Sequence, residues 1–329
     1  MNTPIKLDFT IASIEKPFQL CSFLQINFTD LQDIINDSYY TTYSIPKKRG
    51  GSREINNPCK ELKLVHKSLL NLLQDYYVAL KPIDVHGFTR GNGCNIFENA
   101  KVHVNQKYVL NIDLLNFFPS IKAKRVNELF SSSLFSMNEN LALAMTLLTT
   151  EKGKLPTGAS TSPVISNFIC LEMDKELKNL CISKNLNYSR YADDLTFSSN
   201  NAISEIEIQE IYTIIRSNKF ELNEKKFRLK TSNRKQTVTG LTVNTKVNVD
   251  RKLIRKVRAM LHDSIKNGIE IATVKHFNSK MVSSFEMETL FLQRLLGYIN
   301  FIGQIKGKKD PIYLNFKLDF EYLREENYF

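Results

Sequence analysis

The chain has 329 residues, 42% of them hydrophobic, which allows one large domain or two to three smaller ones and argues against global disorder. Its 45 Lys and Arg outnumber 34 Asp and Glu, a net charge of +11, so a polyanion such as nucleic acid is the first partner to consider. Five scattered cysteines with no C-x-x-C spacing exclude a zinc ribbon or disulfide framework and fit a reducing cytoplasm, and no apolar run resembles a signal peptide or a membrane span.

Residues 1–40 show mixed helical patterns and no evident chemistry. Residues 45–55 read as a strand, a turn at Gly50 and Gly51, and a second strand. Lys47, Lys48, Arg49 and Arg53 lie at or near that turn. Such a basic hairpin either folds over a triphosphate or remains a solvated tip. Residues 61–80 place Leu62, Val65, Leu69, Leu72 and Leu73 at helical spacing, so one face is core. Val85-His86-Gly87-Phe88 then leads into Arg90-Gly91-Asn92-Gly93, a loop too irregular for a dinucleotide fingerprint. Residues 96–103 read as a short helix carrying Asn99 and His103.

Residues 109–112 are apolar and β-prone, a candidate central strand that ends in Asp113. An Asp there suits a metal ligand; taken alone it is more often a loop cap, by about two to one. The small residues of the loop 155–161, Leu155-Pro156-Thr157-Gly158 and onwards, would let a nucleotide or template base approach the backbone. Ser162 and Pro163 read as N-cap and N1 of a helix that turns Ile165, Phe168, Ile169, Met173 and Leu177 inward.

Tyr188 and Arg190, then Leu195 and Phe197, alternate as two strands with Ala192-Asp193-Asp194 between them as a hairpin turn. Asp-Asp by itself is an ordinary solvated turn. At a sheet edge, however, two adjacent carboxylates repel unless a hard divalent cation sits between them. Residues 203–218 read as a helix, 220–229 as strand or loop, and 237–244 as a β-rich hairpin arm. From Asp250 basic helices follow. Arg251, Arg255, Arg258 and His262 share one stripe, with Ile254, Val257 and Leu261 largely opposite, a cationic face suited to a phosphate backbone. A second helical segment, 286–302, carries Leu290, Leu295, Ile299 and Ile302.

The order of these pieces is more specific than any one of them. A strand-ending Asp113, the Pro156-Thr157-Gly158 loop and its helix, Tyr191-Ala192-Asp193-Asp194, Asn223-x-x-Lys226 and a Gly240-Leu241 hairpin follow one another. Together they resemble the palm of reverse transcriptases over roughly residues 40–305. Within that family, Asn99-Ala100-x-x-His103 and Val238-Thr239-Gly240 are similar to elements that set bacterial retron reverse transcriptases apart. The length fits as well, since retron enzymes lack RNase H and endonuclease domains. The resemblance implies an α+β right-hand polymerase fold. Its parts would be an N-terminal helical extension (1–40), fingers (41–107), a palm of antiparallel sheet backed by helices (108–245, with a fingers insertion around 122–154) and a helical thumb (246–329).

The resemblance also implies roles. Asp113, Asp193 and Asp194 would hold two Mg²⁺ ions while a primer hydroxyl attacks the α-phosphate of a dNTP. Phe118 would crowd the sugar 2′ position. Lys47 and Arg53 would hold the triphosphate, Arg being better suited to bidentate phosphate contact. Lys226, Leu114 and Gly158 would lie at the nucleotide, and Thr157 stands where many relatives have Gln. Asn99, His103, Val238, Thr239, Gly240, Arg251, Arg255 and Arg258 would meet RNA. The implied partner is a cognate structured non-coding RNA, primed from a 2′-hydroxyl of an internal guanosine to give a branched RNA–DNA (msDNA). An accessory effector protein and antiphage defence complete the expectation.

Three other readings stand beside this one. A group II intron-like or diversity-generating reverse transcriptase is disfavoured by the Asn-Ala-x-x-His and Val-Thr-Gly elements. An RNA-dependent RNA polymerase is disfavoured by Phe118. A non-catalytic RNA-binding protein of the same fold is disfavoured by three intact carboxylates, which are costly to bury without a metal.

Overall fold

The computed structural model describes residues 14, 16–37, 39–47, 50–91, 93–277 and 284–326. Lys48, Arg49 and Asn92 lie outside the described residues. The chain divides into two units, residues 1–99 with 107–229, and residues 100–106 with 230–329.

The first unit begins with α1 (Pro17–Leu24) and α2 (Phe28–Asp37). The basic hairpin is longer than its sequence pattern indicates: β1 (Tyr40–Pro46) pairs antiparallel with β2 (Ser52–Pro58), Ile45 opposite Arg53. Gly50 and Gly51 take φ of 89° and 78°, which lets the chain reverse there. The apolar stripe of 61–80 forms α3 (Lys60–Leu80), burying Leu62, Val65, Leu69, Leu72 and Leu73 as its spacing requires. α4 (Ile96–Lys101) is shorter than expected and stops before His103.

β3 (Tyr108–Asp113) is followed by the single turn α5 (Phe117–Ser120), then α6 (Ala123–Ser131) and α7 (Glu139–Thr149). The helix expected from Ser162 onward is two helices, α8 (Ser162–Ile169) and α9 (Leu171–Lys184), joined at Cys170. Its N-cap is Thr161 rather than Ser162. The Ser162 hydroxyl is already committed elsewhere, donating to the Pro156 carbonyl at 2.8 Å, so Ser162 enters the helix and Pro163 falls one place deeper. β4 (Asn187–Tyr191) and β5 (Asp194–Ser199) form the Asp-Asp hairpin. α10 (Glu205–Ser217) starts two residues later than its apolar pattern, because Ser204 and Glu207 close a capping box there. β6 (Arg228–Thr231) leaves this unit through a 3-10 turn at Glu224–Lys226.

The four strands order as β4-β5-β3-β6. Leu110, Ile112, Leu195, Phe197 and Tyr188 from the sheet join Val164, Ile165, Phe168, Met173 and Leu177 from the helices in one buried core. Helices therefore back one face of the sheet, and that leaves a sheet edge for the chemistry. The architecture is α+β, as expected.

In the second unit β7 (Thr237–Val238) and β8 (Leu241–Thr242) form a tight hairpin. Its two loop residues, Thr239 and Gly240, have φ of 45° and 84°, the pair of positive values a type I′ turn needs. Gln236 Nε2 pins this arm by donating to the Gln106 carbonyl (3.0 Å). Four helices follow: α11 (Arg251–Asn267), α12 (Ile269–Phe277), α13 (Phe285–Lys306) and α14 (Pro311–Glu326). Asp250 caps α11 by accepting from Lys252 N (2.9 Å).

Candidate active site

The register of β3 on β5 decides the site. Residues 81 or more apart in sequence pair so that Asp113 faces Asp194 directly. Leu114 N donates to the Asp193 carbonyl (3.0 Å), which ties the strand end to the turn. Three carboxylates thus gather at one sheet edge. Asp113 is buried, 5% exposed. Its Oδ2 accepts from Lys226 Nζ (2.7 Å) and its Oδ1 from Asn223 Nδ2 (3.0 Å).

The charges on the turn show the strain of this arrangement. Burial first, and then the neighbouring Asp113 carboxylate, push the Asp193 acid above its ordinary value. Asp194 stands exposed at the start of β5, yet loss of water around its carboxyl, then Asp193 and Asp113, push it up to about 7. Lys226 opposes both shifts; Arg53 opposes the first and Arg228 the second. Arg53, on β2, is thereby close enough to act on the turn. An all-oxygen donor set with mutual repulsion fits a hard divalent cation. Among the described residues no three acidic, His or Cys side chains close around a single point as they stand. Asp113 is turned to Lys226, so a cation must compete with that ammonium group for it.

A stability test follows from Asp194. Its acid titrates near 7 in the folded chain and near 3.8 when unperturbed. Protonation therefore favours the fold, fully below about 3.8, and that contribution is lost as pH rises through 7. In the presence of a chelator, Asp194→Asn is expected to raise the thermal midpoint slightly at pH 8, solvent screening at this exposed residue reducing the gain, and to change it little at pH 5. A variant equally or less stable at pH 8 would contradict the crowding of these carboxylates.

The turn is held from behind by groups the sequence patterns did not single out. Arg190, wholly buried, makes a two-pronged ion pair with Asp174, Nε to Oδ1 and Nη2 to Oδ2, both 2.7 Å. Its Nη1 donates to Asn167 Oδ1 (3.0 Å) and to the Ala192 carbonyl (3.1 Å). Tyr188 Oη donates to the same Asp174 (2.7 Å). Ala192 has a left-handed φ of 60°, a conformation that costs a residue with a Cβ and persists because these bonds over-determine it. Residues 84–87 line the outer side of β4: Arg190 N donates to Asp84 O (2.9 Å) and His86 N to Arg190 O (3.0 Å). Gly87 presses so closely that a Cβ there would lie 2.5 Å from Ala192 N.

The remaining expected residues fall into place as follows. Leu114 is buried and bridges to Leu222. Phe118, half-buried on α5, has its ring 5.3 Å from that of Phe117 and 5.8 Å from that of Phe88. Lys47 is exposed at the hairpin end of β1. Gly158 has φ of 131°, and its close approach is to β2: a Cβ would meet the Asn56 carbonyl at 2.7 Å, while Asn56 N donates to Thr157 O (2.7 Å). Asn99 and His103 are buried, 1% and 0% exposed, and so is Val238. Thr239 is half-buried and Gly240 exposed at their turn. Arg251, Arg255 and Arg258 all stand exposed on α11, with Val257 and Leu261 buried on its other side.

A palm-like sheet with an acidic edge and helices behind it defines a polymerase of the right-hand fold. Apo telomerase from Candida Tropicalis shares that fold, with a TM-score of 0.51 at 13% identity over 86% of this chain and 61% of that one. A family model described as reverse transcriptase (RNA-dependent DNA polymerase) matches residues 45–244, and the chain belongs to that family. It is 32% identical to the retron Mx65 reverse transcriptase of Myxococcus xanthus over 252 residues, 70% of this chain and 57% of that protein. It is 29% identical to the retron Ec86 reverse transcriptase of Escherichia coli over 276 residues, 83% of this chain and 84% of that protein. The chain thus spans a little over half the length of the Myxococcus relative and most of the length of the Escherichia one.

Proposed function

We propose that this chain is a retron-type reverse transcriptase: it copies RNA into DNA by adding nucleotides from dNTPs to a primer hydroxyl. The observation that carries the reading is the register that sets Asp113 opposite Asp194 and beside Asp193, with Arg53 and Lys226 acting on the same charges. Asp113, Asp193 and Asp194 would hold two Mg²⁺ ions. Bound there, the ions would supply Lewis-acid activation of the attacking hydroxyl and neutralise charge on the leaving pyrophosphate.

The chain's own residues account for the rest by positioning and electrostatics. Arg53 would present a fork to the triphosphate, with Lys47 at the β1–β2 hairpin turn. Lys226 now neutralises Asp113 and is placed to exchange that carboxylate for a substrate phosphate. Phe118, braced by Phe117 and Phe88, gives a stiff wall against a sugar 2′-hydroxyl. On this reading residues 41–107 would be fingers, 108–245 palm and 246–329 thumb.

The relatives are retron reverse transcriptases by name, and the finer part of the reading follows from the resemblance to that type: a cognate structured RNA, priming from its 2′-hydroxyl, a branched RNA–DNA product and an effector partner in antiphage defence. RNA would lie on the α11 arginines and at the Thr239-Gly240 turn. Asn99 and His103, being buried, would act on it only through the shape of α4 and the turn after it. Five free thiols suit the reducing cytoplasm expected for such a system, and no helix among the described residues is long and apolar enough to cross a membrane. Sequencing the nucleic acid that copurifies with the protein tests the proposal: a 2′-branched RNA–DNA hybrid is expected, and unbranched host RNA alone would refute the retron type.

Arg255→Glu with Arg258→Glu tests the cationic stripe. RNA binding is expected to weaken by at least roughly tenfold at 100 mM salt, and its dependence on salt to flatten. An unchanged salt slope in filter binding would mean that this face does not meet nucleic acid.

A further inference from the structure

Beside the carboxylate turn, residues 113–115 run antiparallel to residues 221–223. Asn223 N donates to Asp113 O (2.8 Å), Leu114 bridges to Leu222, and Leu115 N donates to Glu221 O (2.8 Å). Residues two apart on an extended segment share a face. Leu115 therefore follows Asp113, and Glu221 follows Asn223, on one side, about 7 Å further along. A cleft of about 330 Å³ opens at that place, and Leu115, Asn116, Lys122, Lys154, Lys219 and Glu221 contribute to its walls.

Three ammonium groups against one carboxylate make this cleft strongly cationic. Lys122 and Lys154 are direct partners in an isolated antiparallel bridge. Like charges set opposite one another cost stability unless something neutralises them. Glu151 is a second bridge partner of Lys154, but among the described residues none of the three lysines makes an ion pair; Lys122 Nζ reaches only the Pro119 carbonyl, at 3.3 Å. The nearby Lys226, by contrast, is engaged by Asp113.

The lysines are also held in place by their backbone. Ala123 N donates to Gly153 O (2.8 Å) and Leu155 N to Ile121 O (2.9 Å), which clamps the bridge on both sides. Arg125 stacks on Phe220, 4.6 Å from the ring centre, and so fixes the residue between Lys219 and Glu221. Two like charges held face to face on a stiff frame, at the mouth of a cleft, form a site built for an anion.

We infer that this cleft binds a diphosphate group, as free pyrophosphate or on a nucleoside triphosphate, one step along the sheet edge from the catalytic carboxylates. The inference rests on the polymerase reading, in which every addition releases pyrophosphate and consumes a triphosphate. Lysines bind phosphate as compact point charges and do not need the planar geometry of a guanidinium pair. A diphosphate held there would stay available for reversal of the last addition, or would deliver the next nucleotide.

Calorimetric titration of the full chain with inorganic pyrophosphate, in metal-free buffer, tests this. Lys122→Gln with Lys154→Gln is expected to weaken binding by about tenfold or more, the loss of charge-assisted contacts. Lys226→Gln is expected to change it less. Equal binding by the altered and unaltered chains would overturn the inference, as would loss confined to Lys226→Gln, which would put the pyrophosphate at the carboxylates alone. Circular dichroism shows whether the double variant folds, and Lys219→Gln serves in its place if it does not. ATP as a second titrant separates the sources: tighter binding than pyrophosphate assigns the nucleotide-borne group, weaker binding the free product. Primer extension by the unaltered chain is measured separately. Its absence would sink the polymerase reading and leave the binding result to be judged alone.

Discussion

Asp193→Asn is expected to lower primer-extension activity by at least roughly a thousandfold while leaving RNA affinity within about twofold. The change is nearly isosteric and removes one charge from a turn held by Arg190 and the Leu114–Asp193 bond, so the fold persists. What would be lost, on the proposed two-metal reading, is a ligand atom on which several kcal/mol of transition-state charge stabilisation would depend. RNA affinity is spared because the proposed RNA face carries its own charges on α11. Single-turnover extension on a primed template and filter binding of RNA read the two quantities independently. Normal extension by this variant would end the proposal for the three carboxylates.

The second large effect concerns stability. Asp174→Ala leaves Arg190 charged, fully buried and without its partner, and leaves the Tyr188 hydroxyl without an acceptor. Breaking a buried pair from one side costs about 3–5 kcal/mol. Denaturant unfolding should show that loss. Arg190→Met combined with Asp174→Leu removes both charges together and is expected to cost clearly less than Asp174→Ala alone. If the double change is the more damaging, the pair is valued for its bond to Ala192 rather than for mutual neutralisation. Either way the Asp-Asp turn loses support, and extension activity should fall with it.

Much of the candidate site was legible beforehand. Alternation of Tyr188 and Arg190 and then Leu195 and Phe197 placed both strands of the hairpin. The apolar run before Asp113 placed β3, and the stripe of 61–80 placed α3 with its buried face. The errors were local and had local causes. Ser162 was expected as an N-cap, but its hydroxyl serves the Pro156 carbonyl. The apolar spacing predicts a single helix through Cys170, where the helix is interrupted instead. The period-two pattern marks Arg190 only as an alternating strand residue, because nothing in it shows which long polar side chain will be interred beside Asp174.

The amino-acid order alone determined where strands, turns and amphipathic helices form, since side-chain periodicity and turn chemistry act over a few residues. It also determined which acids stand at the ends of strands and which arginines share a stripe. Tertiary structure decided the pairings: Asp113 across from Asp194, Lys226 on Asp113, Arg190 on Asp174, and Lys122 opposite Lys154. Those depend on the path of the chain between distant segments. Only when that path removes water from around a charge does the identity of its neighbour set its protonation, its stability and its chemistry.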